Sequence, residues 1–359
     1  MIRSPRPDLD AVSLVIPIRD EEDAIPQLFS SILAQSRHPD EVLFVDCGSI
    51  DGSHELLLQL TGGYSHFRVL EIGPAFPGIG RNRGISAASH EWIALTDAGC
   101  LPDPDWLEQL VATALEVPSS ELIAGNYEVL IGGRTSRFFW PQVVPAKRSI
   151  GPQSIRAPFI ASFLLTRRIW AQAGGFPDLR AAEDLLFIER ASRVAASAAW
   201  AWSPAATVRW EPPSDYVRLF RRTRLYSQVN VQAGLQRRWH YGLLRNYVIL
   251  GLLGLIALLR SPKVPMLPVS AFALRIGIVL GRHRKDLPIQ SLIAPRLFLG
   301  TAIGVLVSDL ATFLGWLDYF VARRKRDRQL PTTPPTSLRV VGQADCSFTD
   351  ESRGTTPLA

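Results

Sequence analysis

Along its N-terminal part the chain alternates short apolar runs with stretches in which apolar residues recur at helical spacing, and each run stops abruptly at charged residues or glycine. Five runs predict strands: Val12–Ile16, Glu41–Val45, Phe67–Glu71, Trp92–Thr96 and Leu122–Asn126. The intervening pattern predicts helices over Ala24–Gln35, Ser53–Leu60, Ile79–Ala88, Asp105–Glu116, Arg167–Ala173 and Glu183–Ala195. Strands alternating with helices imply an α/β domain, a mostly parallel sheet flanked by helices, over residues 11–235. Strand ends that carry acids and glycines are where such a sheet presents a nucleotide site.

Beyond Pro213 the pattern changes. Arg218 to Arg238 reads as a basic, partly aromatic helix, and Leu243–Leu259, Val264–Leu280 and Leu297–Leu317 are apolar runs. Their lengths are near the roughly 17–25 residues a bilayer demands. None is uniformly apolar: Arg245 and Asn246, Arg275 with neighbouring prolines, and Asp309 interrupt them. Residues 236–325 are therefore expected to be membrane-associated helices, the alternative being core helices of a soluble domain. If the N-terminal domain and the Arg323–Arg328 cluster share one side, the crossings must be even. That means two crossings and an interfacial segment, or four with Ile289–Phe320 folded as a hairpin. Residues 1–10 read as a leader, and the Pro/Ser/Thr-rich residues 326–359 as a disordered tail.

Of the 359 residues 47% are hydrophobic, and the mean hydropathy is +0.10, high for a wholly soluble protein. The net charge of +6 sits mainly after Arg209, in clusters beside apolar runs such as Arg282–Lys285 and Arg323–Arg326. Clusters so placed face the cytoplasmic surface of a membrane rather than nucleic acid. The three cysteines, Cys47, Cys100 and Cys346, are odd in number and lack CxxC spacing, which argues against a disulfide framework or a zinc site. The N-terminus shows no apolar signal segment, so the N-terminal domain is expected on the cytoplasmic face of the inner membrane.

The chemistry concentrates in blocks at the predicted strand ends. They are Pro17-Ile-Arg-Asp-Glu-Glu22, Asp46-Cys-Gly-Ser-Ile-Asp51, Gly78-Ile-Gly-Arg-Asn-Arg-Gly84, Leu95-Thr-Asp-Ala-Gly-Cys-Leu-Pro-Asp103 and, later, Ala181-Ala-Glu-Asp-Leu185. Asp97 ends a buried-type strand, where an acid kept for core reasons alone would be costly. Asp46 can accept bonds from a base or ribose, or it can cap the next helix and hold its turn. Arg81 offers a planar fork to phosphate, or is a surface helix arginine. No G-x-G-x-x-G follows the first strand, which counts against a dinucleotide dehydrogenase.

In this order the blocks resemble family 2 glycosyltransferases of the GT-A fold, over about residues 12–230. The resemblance implies a nucleotide-sugar donor bound through Pro17, Arg19, Glu21, Asp46 and Gly48, with Arg81 and Asn82 beside the nucleotide. It implies that Asp97 meets the ribose and a divalent cation, Mg²⁺ or Mn²⁺, on the diphosphate. The chain departs from the family at the second acid of the Asp-x-Asp motif, which is Gly99, so either Asp103 joins Asp97 and water as the second metal ligand or cationic side chains replace the metal. Cys47 also stands where the family often has an acid, and reads as a small hydrophobe. Glu183 and Asp184 correspond to the catalytic pair, with Asp184 as the base. Arg221, Arg222, Arg224 and Tyr226 lie in the segment that similar enzymes place over the diphosphate, or form a basic helix lying on anionic lipid. The Gln-x-x-Arg-Trp motif of processive synthases is not found, Gln236-Arg-Arg-Trp239 being an imperfect echo, which implies single-sugar transfer. Trp170 and Phe176, beside Gly174 and Gly175, either stack on a sugar or serve the core.

The expectation is an inverting glycosyltransferase acting on a lipid-linked or membrane-proximal saccharide, in polysaccharide or glycolipid synthesis. Two alternatives stand beside it. In a polyprenyl-phosphate glycosyltransferase the lipid phosphate is the acceptor, and no hydroxyl needs deprotonating. In a non-catalytic GT-A scaffold or sensor, Gly99 would mark the lost motif.

Overall fold

The first strand, β1 (Val12–Ile18), is buried at every position because both its faces are covered. In a computed structural model, which describes residues 9–131, 136–144, 160–195, 200–260, 266–283 and 294–329, β1 pairs in parallel with β2 (Glu41–Asp46) and β4 (Trp92–Leu95). The eight-stranded sheet also contains β3 (Phe67–Glu71), β5 (Cys100–Pro102), β6 (Leu122–Val129), β7 (Phe163–Thr166) and β8 (Trp200–Trp210), in the order β3-β2-β1-β4-β7-β6-β8-β5. β7 runs antiparallel to β4 and β6, and β5 antiparallel to β8; the other strands share one direction. The sheet is mixed and mostly parallel, as the alternating pattern predicts.

One face carries α1 (Ile25–Leu33), α2 (Ser53–Thr61) and α4 (Trp106–Glu116), whose Leu28, Leu57 and Trp106 join Ile16 and Phe44 in one core. The other carries α3 (Pro77–Ala87), α6 (Arg167–Gln172) and α7 (Glu183–Val194), whose Ile85, Ile169 and Phe187 pack on Val15 and Leu95. Glycine lets α3 lie close to the sheet. A Cβ at Gly84 would strike Val15 and Val45, and one at Gly80 would stand 2.6 Å from Cys47 Sγ. That approach carries Arg81 into the interior.

The remaining helices are α5 (Ser136–Val143), α8 (Tyr216–Gln232), α9 (Gln236–Arg260), α10 (Met266–Arg282) and α11 (Pro295–Gln329). Trp239–Leu259 and Pro295–Ala322 are long and apolar enough to cross a bilayer, by length and composition; the first is only 6% buried. The predicted run Val264–Leu280 falls largely in α10, which has 17 residues. α11 approaches α5 and α8 where its glycines leave room, Gly300 and Gly304 against Phe138 and Phe139 and Gly315 against the Arg224 carbonyl. Ser227 of α8 donates to the Thr312 carbonyl of α11 at 2.6 Å. Most of the leader and tail, Cys346 and the Ile289 end of the suggested hairpin lie outside the described residues.

Candidate active site

The C-terminal ends of β1, β2 and β4 and the start of α7 surround a cleft of about 990 Å³. Pro17, Arg19 and Glu21 reach it from β1, Cys47 from β2, Asp97 and Gly99 from β4, Glu183 and Asp184 from α7, and Arg221 and Arg222 from α8. The neighbouring acidic tips therefore enclose a space instead of closing on one another.

Arg81 lies at the floor, 2% exposed, and donates to Asp97 Oδ1 at 2.5 Å and to Glu183 Oε1 at 3.0 Å. Burial disfavours its charge, but Asp97 and Glu183 outweigh that and hold its pKa above the ordinary arginine value. Its guanidinium carbon also stands 5.5 Å from the Phe176 ring centroid. Arg81, expected beside the nucleotide, thus lines the cleft from α3 and forms a strut between two acids.

Asp184 lines the cleft in the first turn of α7, and its Oδ1 accepts from Leu185 N at 2.7 Å. Burial, and then the charge of Glu183, push its pKa up to about 6. It is ionised at neutral pH yet close enough in pKa to take and return a proton. Glu21 is also pushed up, by burial and by the nearby charge of Asp97. The only two non-glycine residues with positive φ among those described, Asp20 at 54° and Ala182 at 63°, both line this cleft. Left-handed backbone in such residues costs about 1–2 kcal/mol each, and strain of this kind gathers at functional sites.

Other expected ligands turn away from the cleft. Asp46 is 3% exposed and holds the β2–α2 turn, accepting from Ser49 N at 2.9 Å and standing 3.0 Å from His54 Nδ1. Gly48, at φ 77°, keeps that loop against Pro74, whose nitrogen would lie 2.6 Å from an added Cβ. Asn82 fastens the Gly174–Phe176 loop, accepting from Trp170 Nε1 at 2.9 Å and Phe176 N at 2.8 Å and donating to the Phe176 carbonyl at 2.8 Å. Trp170 is thereby engaged within the fold, and Phe176 is buried with its ring stacked on Phe187 at 4.0 Å. Cys47 is buried as a small hydrophobe, its thiol pushed up to about 11 by burial and by Asp46.

Asp103 is not with Asp97. Strand β5 carries the chain away from the cleft, and Asp103 Oδ1 pairs with Arg209 Nε at 2.9 Å. Arg224 likewise leaves the cleft to α8's neighbour Arg222, and makes a bidentate pair with Asp318 at 2.6 and 2.9 Å. At 100° per residue, positions 222 and 224 of one helix face opposite ways. Arg222, whose guanidinium carbon stands 5.2 Å from the Trp210 ring and 5.1 Å from the Tyr226 ring, reaches the cleft from the same segment.

Among the described residues no group of three or more His, Cys, Asp or Glu is placed to hold a metal. Among the acids that line the cleft beside its arginines, Asp97 and Glu21 are close enough for one to raise the pKa of the other. That set suits a hard cation that draws its remaining ligands from phosphate and water.

Residues 13–158 match the profile of Glycosyl transferase family 2. Glycosyltransferase AglE of Haloferax volcanii is 32% identical over 123 residues, 33% of this chain and 40% of that protein. Succinoglycan biosynthesis protein ExoO of Rhizobium meliloti is 29% identical over 157 residues, 44% of this chain and 43% of that one. The chain thus spans less than half the length of either relative. The crystal structure of S. aureus TarS 1-349 overlaps 87% of this chain and 92% of that chain at 16% identity, with a TM-score of 0.48. The profile runs from β1 to beyond β6, so the part of this chain that carries the acid-tipped side of the mixed sheet is similar to glycosyl transferase family 2.

Proposed function

We propose that this chain is an inverting glycosyltransferase that moves one sugar from a nucleotide-sugar donor to a lipid-linked or membrane-proximal saccharide. The observation that carries this reading is the shared cleft. Asp97 at the end of β4 and Asp184 at the start of α7 face the same space, joined beneath by Arg81 and Glu183. The relative named for succinoglycan biosynthesis favours a product in polysaccharide assembly.

In this reaction Asp184 accepts the proton of the acceptor hydroxyl as its oxygen attacks the anomeric carbon. The bond from that carbon to the diphosphate oxygen breaks on the opposite face, and the nucleoside diphosphate leaves with the electron pair. Arg221 faces this space and stabilises the growing negative charge. Glu21, Pro17 and Arg19 form the donor side. A divalent cation, Mg²⁺ or Mn²⁺, would be held by Asp97 with Glu21 and would supply further positive charge to the leaving group.

Residues 236–325 are read as the membrane-associated part, because α9 turns Leu244, Val248, Leu252 and Leu255 outward, each more than 40% exposed. The catalytic domain then faces the cytoplasm at the inner membrane. The test is release of nucleoside diphosphate from a panel of UDP-, GDP- and dTDP-sugars by the purified full chain, with Asp184→Asn alongside. Transfer lost in that variant while donor binding persists supports the assignment. Full transfer in it favours a lipid-phosphate acceptor that needs no base, and no donor turnover by either protein leaves a scaffold.

A further inference from the structure

A second cavity, of about 350 Å³, adjoins the donor cleft, between α8 and the three C-terminal helices. Its walls include Thr223 of α8, Leu243 and Asn246 of α9, Arg275 of α10 and Asp309 of α11. It shares Trp210, Arg222 and Tyr226 with the donor cleft, so those three side chains are the partition between the two spaces.

The charges in this cavity are uneven. Asp309 receives Arg275 through two bonds, at 2.5 and 2.9 Å, and the Tyr247 hydroxyl at 2.9 Å. That cluster ties α9, α10 and α11 together and is internally neutral. Arg222 is different. It is half-buried between the two aromatic rings of the partition, and among the described residues no carboxylate pairs with it. Cation–π contact steadies a guanidinium without using its N–H donors, and a fork held that way suits a phosphate group. The cavity has room for a head group and no long tail. The helix that walls it, α9, carries an outward apolar face along which a tail can run.

We propose that this second cavity receives the phosphate-bearing head of a membrane lipid, the lipid end of the acceptor, with Arg222 on the phosphate and the apolar tail against α9. The assignment rests on the glycosyl-transfer reading above and adds the acceptor's chemical class. The shared partition would set the lipid's head beside the donor sugar, which is the proximity that transfer requires.

The test needs no sugar donor. The full chain in detergent micelles is titrated with geranylgeranyl diphosphate, with inorganic diphosphate and with geranylgeraniol. The expected result is that geranylgeranyl diphosphate binds at least about tenfold more tightly than either fragment, and that Arg222→Gln and the cavity-filling Leu243→Trp each weaken it about tenfold or more. Melting-temperature shifts with UDP, GDP and dTDP accompany each protein; in Leu243→Trp the shift given by the nucleotide that the unaltered chain binds is expected to persist, which shows a folded donor site. Equal binding of inorganic diphosphate would assign Arg222 to the free or donor diphosphate and overturn the proposal, as would undiminished lipid binding in Leu243→Trp. Nucleotide shifts without any prenyl diphosphate binding would overturn it too, and would leave the transferase reading standing.

Discussion

Arg81 donates to Glu183 at 3.0 Å across 102 residues of sequence, and with its other nitrogen holds Asp97. One buried cation thus fixes the acid at the end of β4 relative to the start of the helix that carries Asp184. Removing it leaves two carboxylates without a counter-charge, a change that costs about 3–5 kcal/mol when the group is buried. Arg81→Met is expected to lower unfolding free energy by about that amount and transfer by about a hundredfold or more. Arg81→Lys keeps the charge but has no fork to reach both acids, and should fall between. The check is a double-mutant cycle in denaturant. Arg81→Met with Glu183→Gln should be less destabilised than the sum of the single changes, and simple additivity would refute the strut.

The second prediction concerns pH. With Asp184 pushed up to about 6 by burial and Glu183, its basic form is lost as pH falls through that value. Transfer should rise about tenfold per pH unit below 6 and level off above about 7. Stability moves the other way. A carboxyl whose folded pKa exceeds its unfolded value binds more protons when folded, so its contribution declines as pH rises from about 4 through 6. Asp184→Asn removes that decline. It should abolish transfer, gain on the order of 3 kcal/mol at pH 8 and gain almost nothing at pH 4. Melting curves at the two pH values decide this, and an equal change at both would sink it.

The third concerns the missing acid. An added Cβ at Gly99 meets nothing within 4 Å, and the residue lines the cleft beside Asp97. Gly99→Asp therefore has room to supply a second carboxylate for a cation. The Mn²⁺ concentration giving half-maximal transfer is expected to fall about tenfold, since each added carboxylate ligand tightens a hard-cation site. A titration after chelation measures it. Transfer that survives chelation in both proteins would mean that Arg221 serves the leaving group without metal.

The parts of the fold that sequence makes legible are those with a local signature. The apolar runs from Val12, Glu41, Phe67, Trp92 and Leu122 all form strands, since each ends at a charge or glycine. β7 escapes such a reading because Phe163–Thr166 passes directly into α6, Thr166 being both the last strand residue and the helix cap that accepts from Ile169 N. β8 escapes it because Pro204, Ala205 and Ala206 lie within the strand, where their β propensity is poor. In the site, the blocks locate the cleft but not the direction of each side chain. Asp46 and Asn82 sit in the expected segments yet point into the turn and loop they brace. Asp103 follows Asp97 closely in sequence but is carried off by β5, a strand of three residues with too little pattern to announce itself.

The last prediction tests whether the helical region positions the cleft. A Cβ at Gly315 of α11 would collide with the Arg224 carbonyl of α8, and its nearest other neighbour is Ser227 Cβ at 2.8 Å. Backbone cannot yield as a flexible side chain can, so Gly315→Leu must push α8 away from α11 and break the Arg224–Asp318 pair. The same helix carries Arg221 and Arg222 at the cleft. Gly315→Leu should therefore cost about 1–3 kcal/mol, the usual range for overpacking. It should also lower transfer while leaving the pH midpoint near 6, because Asp184 stands on α7 and does not move with α8. Gly254→Leu in α9 is the companion measurement. A Cβ there meets nothing within 4 Å, and a change within about 0.5 kcal/mol is expected, as for surface positions generally. A shifted pH midpoint in Gly315→Leu, or equal losses in both variants, would show that α8 does not set the cleft's cationic wall independently of the base.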